Sequence, residues 1–297
     1  MSFRRTDPGI SNMHLFLGVD AVVFVEGGKM TYTIEQISQG LYNPQADDLK
    51  YWQIVFMAFA GQRTFHFRAV GSKRTIKELA VLITGNQVKH ILVAMDRDLD
   101  HLAGTLPVGA GVLSTLGYSW ENDVWTSEVV FATFKKFNTS PQTEIQAKNT
   151  IEDEFAKARS KLKCCVLADA ILRFNKLDPL PRAKLEKIVR PSASGPPTIS
   201  LETAKSIIRT QRLKVRPTRL RGPKVRPNTL RDCYGHLLAN LGYHVLAHVL
   251  KKFCGISVTP KQLLGPAAID AFATLLPRDQ ALTSHYNSMF GAINWAS

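Results

Sequence analysis

Cysteine is scarce in this sequence, and no two cysteines have the spacing of a zinc or redox motif. The chain of 297 residues contains four: Cys164 and Cys165 are adjacent, and Cys233 and Cys254 stand alone. Structural zinc sites and dithiol redox centres need a Cys-x-x-Cys or related spacing. We therefore exclude the usual zinc-binding module and expect reduced thiols that are mostly buried in the core.

Long hydrophobic runs are also missing. No stretch of 18 apolar residues occurs, and residues 1–18 lack a basic region followed by a long apolar core and a small-residue cleavage site. Such segments mark membrane-spanning helices and secretory signals. The sequence therefore predicts a soluble, cytoplasmic protein that has no membrane partner.

Acidic residues are few relative to basic ones. The chain has 38 Lys and Arg against 24 Asp and Glu, which gives a net charge of +14 and an isoelectric point near 9.7. Hydrophobic residues make up 45% of the sequence, which is enough for one large core or two modest ones. The positive excess indicates a polyanionic partner, nucleic acid before an anionic membrane.

The positive charge is most concentrated in residues 205–231, which contain ten Lys or Arg and no Asp, Glu or aromatic residue. Pro217, Pro223 and Pro227 break any helix from Lys214 onward, so we predict an extended basic arm. Without aromatic residues the arm should contact phosphates rather than stack on bases. A solvated charged face is the alternative. The candidate phosphate contacts are Lys214, Arg216, Arg219, Arg221, Lys224 and Arg226.

Three of the acids follow one apolar run. Residues 91–100 read Ile-Leu-Val-Ala-Met-Asp-Arg-Asp-Leu-Asp, and the apolar part predicts a buried strand of a parallel sheet. If the extended conformation continues past Met95, alternation places Asp96, Asp98 and Asp100 on one face. Converging carboxylates repel each other unless a cation compensates them, and hard oxygen ligands suit Mg²⁺ or Mn²⁺. An acidic turn that caps the next helix is the alternative.

A further acid follows an earlier predicted strand. Residues 21–27 read Ala-Val-Val-Phe-Val-Glu-Gly, which places Glu26 at the end of that strand, and residues 29–41 predict a weakly patterned helix. Residues 65–70 alternate as a second strand, and residues 75–84 have apolar positions at helical spacing. The order strand, helix, strand, helix, acidic strand predicts a doubly wound α/β fold, in which strand ends face a common crevice.

These motifs resemble a toprim domain, the metal-binding module of type IA and II topoisomerases, primases and OLD-family nucleases. The resemblance covers roughly residues 15–135 and rests on Val-Glu-Gly, on Gly-x-Lys ending at Lys73, and on Asp-Arg-Asp-Leu-Asp. It implies that Lys73 neutralises a phosphate; a solvated lysine in a helix-start turn is the alternative. The implied metal-binding carboxylates are Glu26, Asp96 and Asp98, with Asp100 as a further ligand or supporting group.

A fourth motif narrows the resemblance to a subgroup. Glu121-Asn122, within Tyr-Ser-Trp-Glu-Asn-Asp, resembles the Ile-Glu-Asn step of the effector subunits of PARIS anti-phage systems, although Trp120 replaces the aliphatic residue. The resemblance adds Glu121 to the catalytic candidates. It also implies a toxic nuclease that cleaves nucleic acid, RNA such as tRNA before DNA. An AriA-like ATPase subunit of the same system would hold it inactive until infection.

The implied reaction is metal-assisted phosphodiester hydrolysis, with Glu26 as the general base if it is not a metal ligand. A topoisomerase would need a DNA-gate domain, for which 297 residues leave no room, and a primase would need a zinc module. The rival interpretation is a non-catalytic nucleic-acid adaptor with a degenerate toprim fold. Glu26, Asp96 and Asp98 argue against it, because an adaptor has no need for acids beside a phosphate.

The predicted domains are a toprim-like catalytic domain, residues 1–140, and a mainly helical region, residues 141–297, that carries the basic arm and binds the partner. In the second region, Thr150 is predicted to be the N-cap of a long helix with Glu152, Asp153 and Glu154 in its first turn. These two regions would together form an α/β protein with a mostly parallel sheet.

Residues 232–253 predict another helix of the second region. His244 and His248 lie four residues apart on it, which favours a packed or interface pair over a metal site. The apolar face from Leu237 to Leu250 is a candidate surface for a homodimer of the free protein.

Overall fold

The fold is built on a four-stranded, all-parallel sheet with the strand order β2-β1-β3-β4. The computed structural model describes residues 10–192, 195–214, 220–257 and 260–295. The strands of the sheet are β1 (Ala21–Val25), β2 (Phe65–Ala69), β3 (Ile91–Met95) and β4 (Val112–Ser114). Helices flank the sheet and a helical C-terminal region follows it, so the predicted α/β class is confirmed.

The helices follow in chain order. They are α1 (Met13–Leu17), α2 (Ile34–Ser38), α3 (Asp47–Phe59), α4 (Lys73–Thr84), α5 (Asp100–Ala103), α6 (Trp120–Val124), α7 (Ser127–Phe137), α8 (Glu144–Phe174), α9 (Arg182–Leu185), α10 (Leu201–Lys214), α11 (Gly235–Cys254), α12 (Lys261–Leu275) and α13 (Gln280–Gly291). Strands β5 (Val189–Arg190) and β6 (Thr198–Ile199) form a separate antiparallel pair. Within the described ranges, none of the helices is long and apolar enough to cross a membrane.

Packing divides the chain into two units. The sheet unit comprises the described residues of Met1–Asp96, Pro107–Leu116 and Leu276–Ser297, and the helical unit comprises those of Arg97–Leu106 and Gly117–Leu275. The division falls inside the acidic run, between Asp96 and Arg97. The predicted domain boundary near residue 140 stays a prediction. The two packing units divide the chain at other positions.

Strands β1 and β3 are continuous apolar runs because they occupy the middle of the sheet. Every residue of both strands is buried, and strands that are covered on both faces lose the alternation of polar and apolar residues. Val25 at the end of β1 is paired with Ala69 on one side and Ala94 on the other. The residues that follow these strands therefore start at one edge of the sheet.

Helix α3 belongs to the sheet unit. Its aromatic residues pack against the C-terminal helix α13: the hydroxyl of Tyr51 lies 2.5 Å from that of Tyr286, and the rings of Phe56 and Phe290 meet edge to face at 4.9 Å. These contacts join segments that are far apart in the sequence, so local patterning cannot reveal them.

The helix predicted over residues 29–41 is much shorter than expected. Helix α2 begins only after Thr33, whose side chain accepts a hydrogen bond from the Gln36 amide while the Gln36 side chain accepts one from the Thr33 amide. This capping box fixes the helix start at that point.

Helix α8 begins six residues before the predicted N-cap. The Thr150 hydroxyl donates to the backbone carbonyl of Gln146 at 2.8 Å, as a threonine inside a helix does. The prediction that Thr150 begins the helix is therefore wrong. Glu152, Asp153 and Glu154, which follow Thr150, therefore lie inside the helix and not in its first turn.

The apolar face of α11 is covered inside the helical unit. The helix packs against α6, α7 and α8, and Leu237, Leu241 and Val245 are fully or almost fully buried. The prediction that this face is a surface for a second copy is therefore wrong, because the helix already buries it against neighbours within the chain.

Candidate functional site

Glu26 and Asp96 follow neighbouring parallel strands at one edge of the sheet. The Glu26 amide donates to the carbonyl of Ala94 at 3.0 Å, which continues the pairing of β1 with β3. The Asp96 amide in turn donates to Oε2 of Glu26 at 3.3 Å. Two acids that are 70 residues apart in the sequence are thus adjacent in the sheet unit, as the rule that strand ends share one edge leads us to expect.

Lys73 lies at the same edge. It is the first residue of α4, and its Nζ donates to the backbone carbonyl of Asp96 at 2.6 Å. The side chain is half-buried and hydrogen-bonded, which argues against a freely solvated lysine. Its contact with a phosphate stays a prediction.

Two glycines hold the loops beside these residues. Gly27 and Gly71 exchange backbone hydrogen bonds of 2.9 and 2.8 Å, and both have a positive φ, 123° and 93°. A Cβ on Gly71 would lie 2.4 Å from the carbonyl oxygen of Met30. The turn therefore needs glycine at this position, and the close approach of the two loops fixes the backbone next to Glu26.

Asp98 departs from the direction of the strand. Its φ of 49° is left-handed, and its amide donates to the carbonyl of Tyr118 at 2.6 Å. The extended conformation therefore ends at Met95, and the prediction that alternation places three acids on one face is wrong. Aspartate tolerates this backbone better than most residues do. Within the helical unit, burial and then the Asp98 carboxylate raise the pKa of Tyr118.

Asp100 forms an ion pair with Arg173 inside the helical unit. The residue is completely buried at the start of α5, and its carboxylate forms an ion pair with Arg173 and accepts a hydrogen bond of 3.1 Å from the Thr105 hydroxyl. A buried carboxylate needs a compensating charge, and Arg173 supplies it. This arrangement favours a structural role for Asp100 over a metal-binding one.

Glu121 also belongs to the helical unit and is buried there. Its Oε2 accepts a hydrogen bond of 2.5 Å from the Ser119 hydroxyl, and its Oε1 lies 3.2 Å from Nε2 of His236. The neighbouring Asn122 donates to the carbonyls of Leu230 and Cys233 at 2.8 and 2.9 Å. The Glu-Asn step therefore holds the chain that follows the basic arm, a role that its sequence context does not reveal.

The four predicted metal ligands do not form one cage. Among the described residues, no three His, Cys, Asp or Glu side chains are grouped so that they could hold a metal ion. Mg²⁺, however, is often bound by only one or two carboxylates, together with water and substrate phosphate. Glu26 and Asp96 are neighbours at one edge of the sheet, and metal binding by these two carboxylates stays a prediction.

The basic arm can be followed in part. Lys214 is the last residue of α10, Arg216 and Arg219 lie outside the described residues, and residues 220–234 contain neither helix nor strand. Arg221, Lys224 and Arg226 are exposed. The prediction that no helix continues past Lys214 is confirmed for the part that the structure describes.

The arm is anchored at Arg221. The carboxamide of Asn175, at the end of α8, accepts a hydrogen bond of 3.2 Å from the Arg221 amide and donates one of 2.8 Å to its carbonyl. Arg221 takes part in this anchor only through its backbone groups, so its guanidinium is not used by these two hydrogen bonds.

A basic groove of about 450 Å³ lies between the arm and α8. Arg226 lines it together with Arg159 and Lys163, and Ser160 and Thr229 add hydroxyl groups. No carboxylate among the described residues forms an ion pair with any of these three cations. Sequence reasoning missed Arg159 and Lys163, because they lie in a helix of mixed charge; their spacing of four residues is the only signal in the sequence.

Comparison with protein-family models and with curated proteins finds no match for this chain. The toprim resemblance therefore stays a prediction from motifs. What the structure shows is that Glu26 and Lys73, from two of those motifs, both contact the backbone of Asp96 at the end of the acidic strand.

Proposed function

We propose that this chain is a metal-dependent nuclease that hydrolyses phosphodiester bonds, with Glu26 and Asp96 as its acidic centre. The observation that carries the proposal is the hydrogen bond from the Asp96 amide to Glu26 at the ends of two neighbouring parallel strands. Adjacent carboxylates repel each other, and a divalent cation held between them would offset that repulsion.

The residues of this centre have distinct roles. Mg²⁺ or Mn²⁺ held by Glu26 and Asp96 would polarise the phosphodiester and acidify a bound water. Oε2 of Glu26 is oriented by the Asp96 amide, so the carboxylate is held in place to accept a proton. Lys73 fixes the loop through the Asp96 carbonyl and brings a positive charge to the position where a phosphate would bind.

The basic groove and the arm supply substrate binding. Arg159, Lys163 and Arg226 offer three cations without an ion-pair partner among the described carboxylates, and the net charge of +14 favours a polyanion over the whole surface. The resemblance to PARIS effectors makes RNA, including tRNA, the proposed substrate and the cytoplasm the proposed location.

The same resemblance supplies the proposed regulation. A nuclease with a complete acidic centre would injure its own cell unless a partner restrains it, and an ATPase subunit is the proposed partner. A homodimer of the free protein stays part of the proposal, but its interface must lie elsewhere than on the buried face of α11.

A non-catalytic nucleic-acid adaptor is the second candidate. The ion pair between Asp100 and Arg173 favours it, because this acid is neutralised within the chain and needs no metal. An adaptor would use the groove and arm in the same way, but it would cleave nothing.

One experiment separates the two candidates. Purified protein is incubated with labelled tRNA, mRNA and DNA in Mg²⁺, and in parallel in Mg²⁺ with excess EDTA. The nuclease proposal expects cleavage of at least one RNA that EDTA abolishes. Tight, salt-sensitive binding without any cleavage would support the adaptor.

A further inference from the structure

A separate pocket of about 470 Å³ lies within the helical unit. Its size is typical of sites for small molecules. Its polar and aromatic lining residues are Trp125, Glu186, Lys187, His236, Asn240, Tyr243 and Lys261. None of these residues belongs to the predicted acidic centre or to the basic arm.

The pocket carries two lysines without a carboxylate partner. No described carboxylate lies within ion-pair distance of Lys187 or Lys261. The Nζ of Lys261 lies 3.2 Å from Oδ1 of Asn240 and 4.9 Å from the centroid of the Tyr243 ring. Both lysines line one cavity, so an anion bound there would meet two positive charges.

Two carboxylates, those of Glu121 and Glu186, lie close to the His236 ring. Nε2 of this ring lies 3.2 Å from Oε1 of Glu121, and Nδ1 lies 3.5 Å from Oε1 of Glu186. The Tyr234 hydroxyl also lies near, 3.1 Å from Nδ1 and 3.3 Å from Glu186. Glu121 is only 6% exposed, so a buried group holds one side of the ring. Glu186 lines the pocket as well, but it contacts His236 and lies beyond ion-pair distance of both lysines.

The backbone around His236 is closely packed, which makes the wall of the pocket rigid. Gly235 begins α11, and a Cβ there would lie 1.9 Å from the Ser119 hydroxyl and 2.8 Å from Oε2 of Glu121. Likewise, a Cβ on Gly242 would lie 2.6 Å from the Trp125 ring. Both glycines let α11 approach the helix that carries Glu121, and a rigid wall is what a preformed ligand site requires.

We propose that this pocket binds a nucleoside phosphate, either as a free nucleotide or as the phosphorylated end of a strand. The phosphate lies between Lys187 and Lys261, and the base lies along the aromatic surface of Trp125 and Tyr243. Phosphate suits paired lysines as a point-charge site, and any base can stack on an aromatic ring. The site is independent of the nuclease centre, so it stands whether or not the chain cleaves nucleic acid.

The test is calorimetric titration of the full-length protein with adenosine, guanosine, cytidine and uridine monophosphates. Inorganic phosphate, the unphosphorylated nucleosides and a trinucleotide with a 5′-phosphate are titrated in parallel. The variant Lys187→Ala with Lys261→Ala removes both cations. The matched control, Lys184→Ala with Lys161→Ala, removes two exposed lysines that do not line the pocket, and thermal melts confirm folding of both variants.

We expect saturable binding of at least one monophosphate that weakens about tenfold or more in the Lys187/Lys261 variant and is unchanged in the control. Tighter binding of the trinucleotide assigns the site to a strand end, and tighter binding of the monophosphate assigns it to a free nucleotide. Three results would each overturn the proposal: no saturable binding, equal loss in the control, or equal affinity for inorganic phosphate and the nucleotide.

Discussion

Arg97 and Asp232 are 135 residues apart in the sequence, and Nη2 of the arginine donates to Oδ1 of the aspartate at 2.7 Å. Both side chains are largely buried, at 14% and 6% exposure. The other oxygen of Asp232 accepts a hydrogen bond of 2.7 Å from the Asn228 amide. Within the helical unit, the pair therefore ties the segment after the acidic strand to the end of the basic arm.

Breaking this pair should destabilise the fold. The substitution Asp232→Ala removes the carboxylate that pairs with the largely buried Arg97 guanidinium. We expect the free energy of unfolding to fall by about 3 kcal/mol, as for other buried ion pairs that lose one partner. Urea denaturation at pH 7.5 measures the loss. Glu152→Ala is the control, because it removes an exposed i, i+4 pair with Lys148 that should contribute less than about 0.5 kcal/mol. Equal effects of the two variants would show that the buried pair has no special role.

The basic groove should determine salt-dependent binding. Replacing Arg159, Lys163 and Arg226 with Ala should weaken binding to RNA of any sequence. It should also reduce the slope of log affinity against log salt by about 0.7 for each lost contact to a single strand.

The control for the groove variant removes the same number of positive charges from other parts of the surface. Lys148→Ala, Lys161→Ala and Lys184→Ala together remove three cations that do not line the groove. Filter binding of tRNA between low and physiological salt compares the two variants. If both lose affinity to the same extent, net charge rather than the groove accounts for binding.

The two histidines of α11 should make stability depend on pH. Burial, and then Lys261, lowers the pKa of His244 below its ordinary value of 6.5; burial, and then Lys252, lowers that of His248, against a smaller opposite effect of Glu154. The unfolded chain thus binds these protons more readily than the folded chain, and stability is lost as the pH falls below about 6.5.

A double variant tests this dependence. His244→Gln with His248→Gln should lose less stability between pH 7.5 and pH 5.5 than the wild type does, as measured by urea denaturation at both values. The same loss in both proteins would show that these two histidines do not titrate on unfolding. A metal-binding pair would instead show stabilisation by added Zn²⁺ that the variant lacks.

The parts of the fold that the sequence predicts are those fixed by local patterns. The apolar runs of β1 and β3 predict the central strands and place Glu26 and Asp96 after them, because a strand buried on both faces has a continuous apolar signature. Helix α4 is likewise predicted from its apolar spacing. In the two strands every residue is buried, and in the helix one face is, so burial leaves a signature in the local sequence in each case.

The rest depends on contacts between distant segments. Asp98 adopts a left-handed backbone because it bonds to Tyr118, and Asp100 is neutralised by Arg173 on α8. No periodicity in residues 91–100 encodes either partner. The groove residues Arg159 and Lys163 were missed for the same reason, since the arm that completes the groove lies more than sixty residues further along the chain.

The four cysteines likewise show one property that the sequence predicts, the free thiol, and one that it predicts only in part, the burial. All four cysteines are free, as expected, but only Cys165 and Cys233 are buried, and burial raises the pKa of both to about 12. Cys164 is exposed although it adjoins Cys165. Adjacent helical residues point in different directions, so a sequence pair need not share one environment.

The cleavage rates of the variants Glu26→Gln and Asp96→Asn test most directly whether these two residues carry out phosphodiester hydrolysis. Gln retains an oxygen that can accept from the Asp96 amide, so the fold should be preserved. Glu35→Gln, an exposed acid on α2, is the matched control. With labelled tRNA in Mg²⁺, we predict that each site variant is slower by about 100-fold or more while the control matches the wild type. Wild-type rates in both site variants, with their folding verified by thermal melts, would contradict the account.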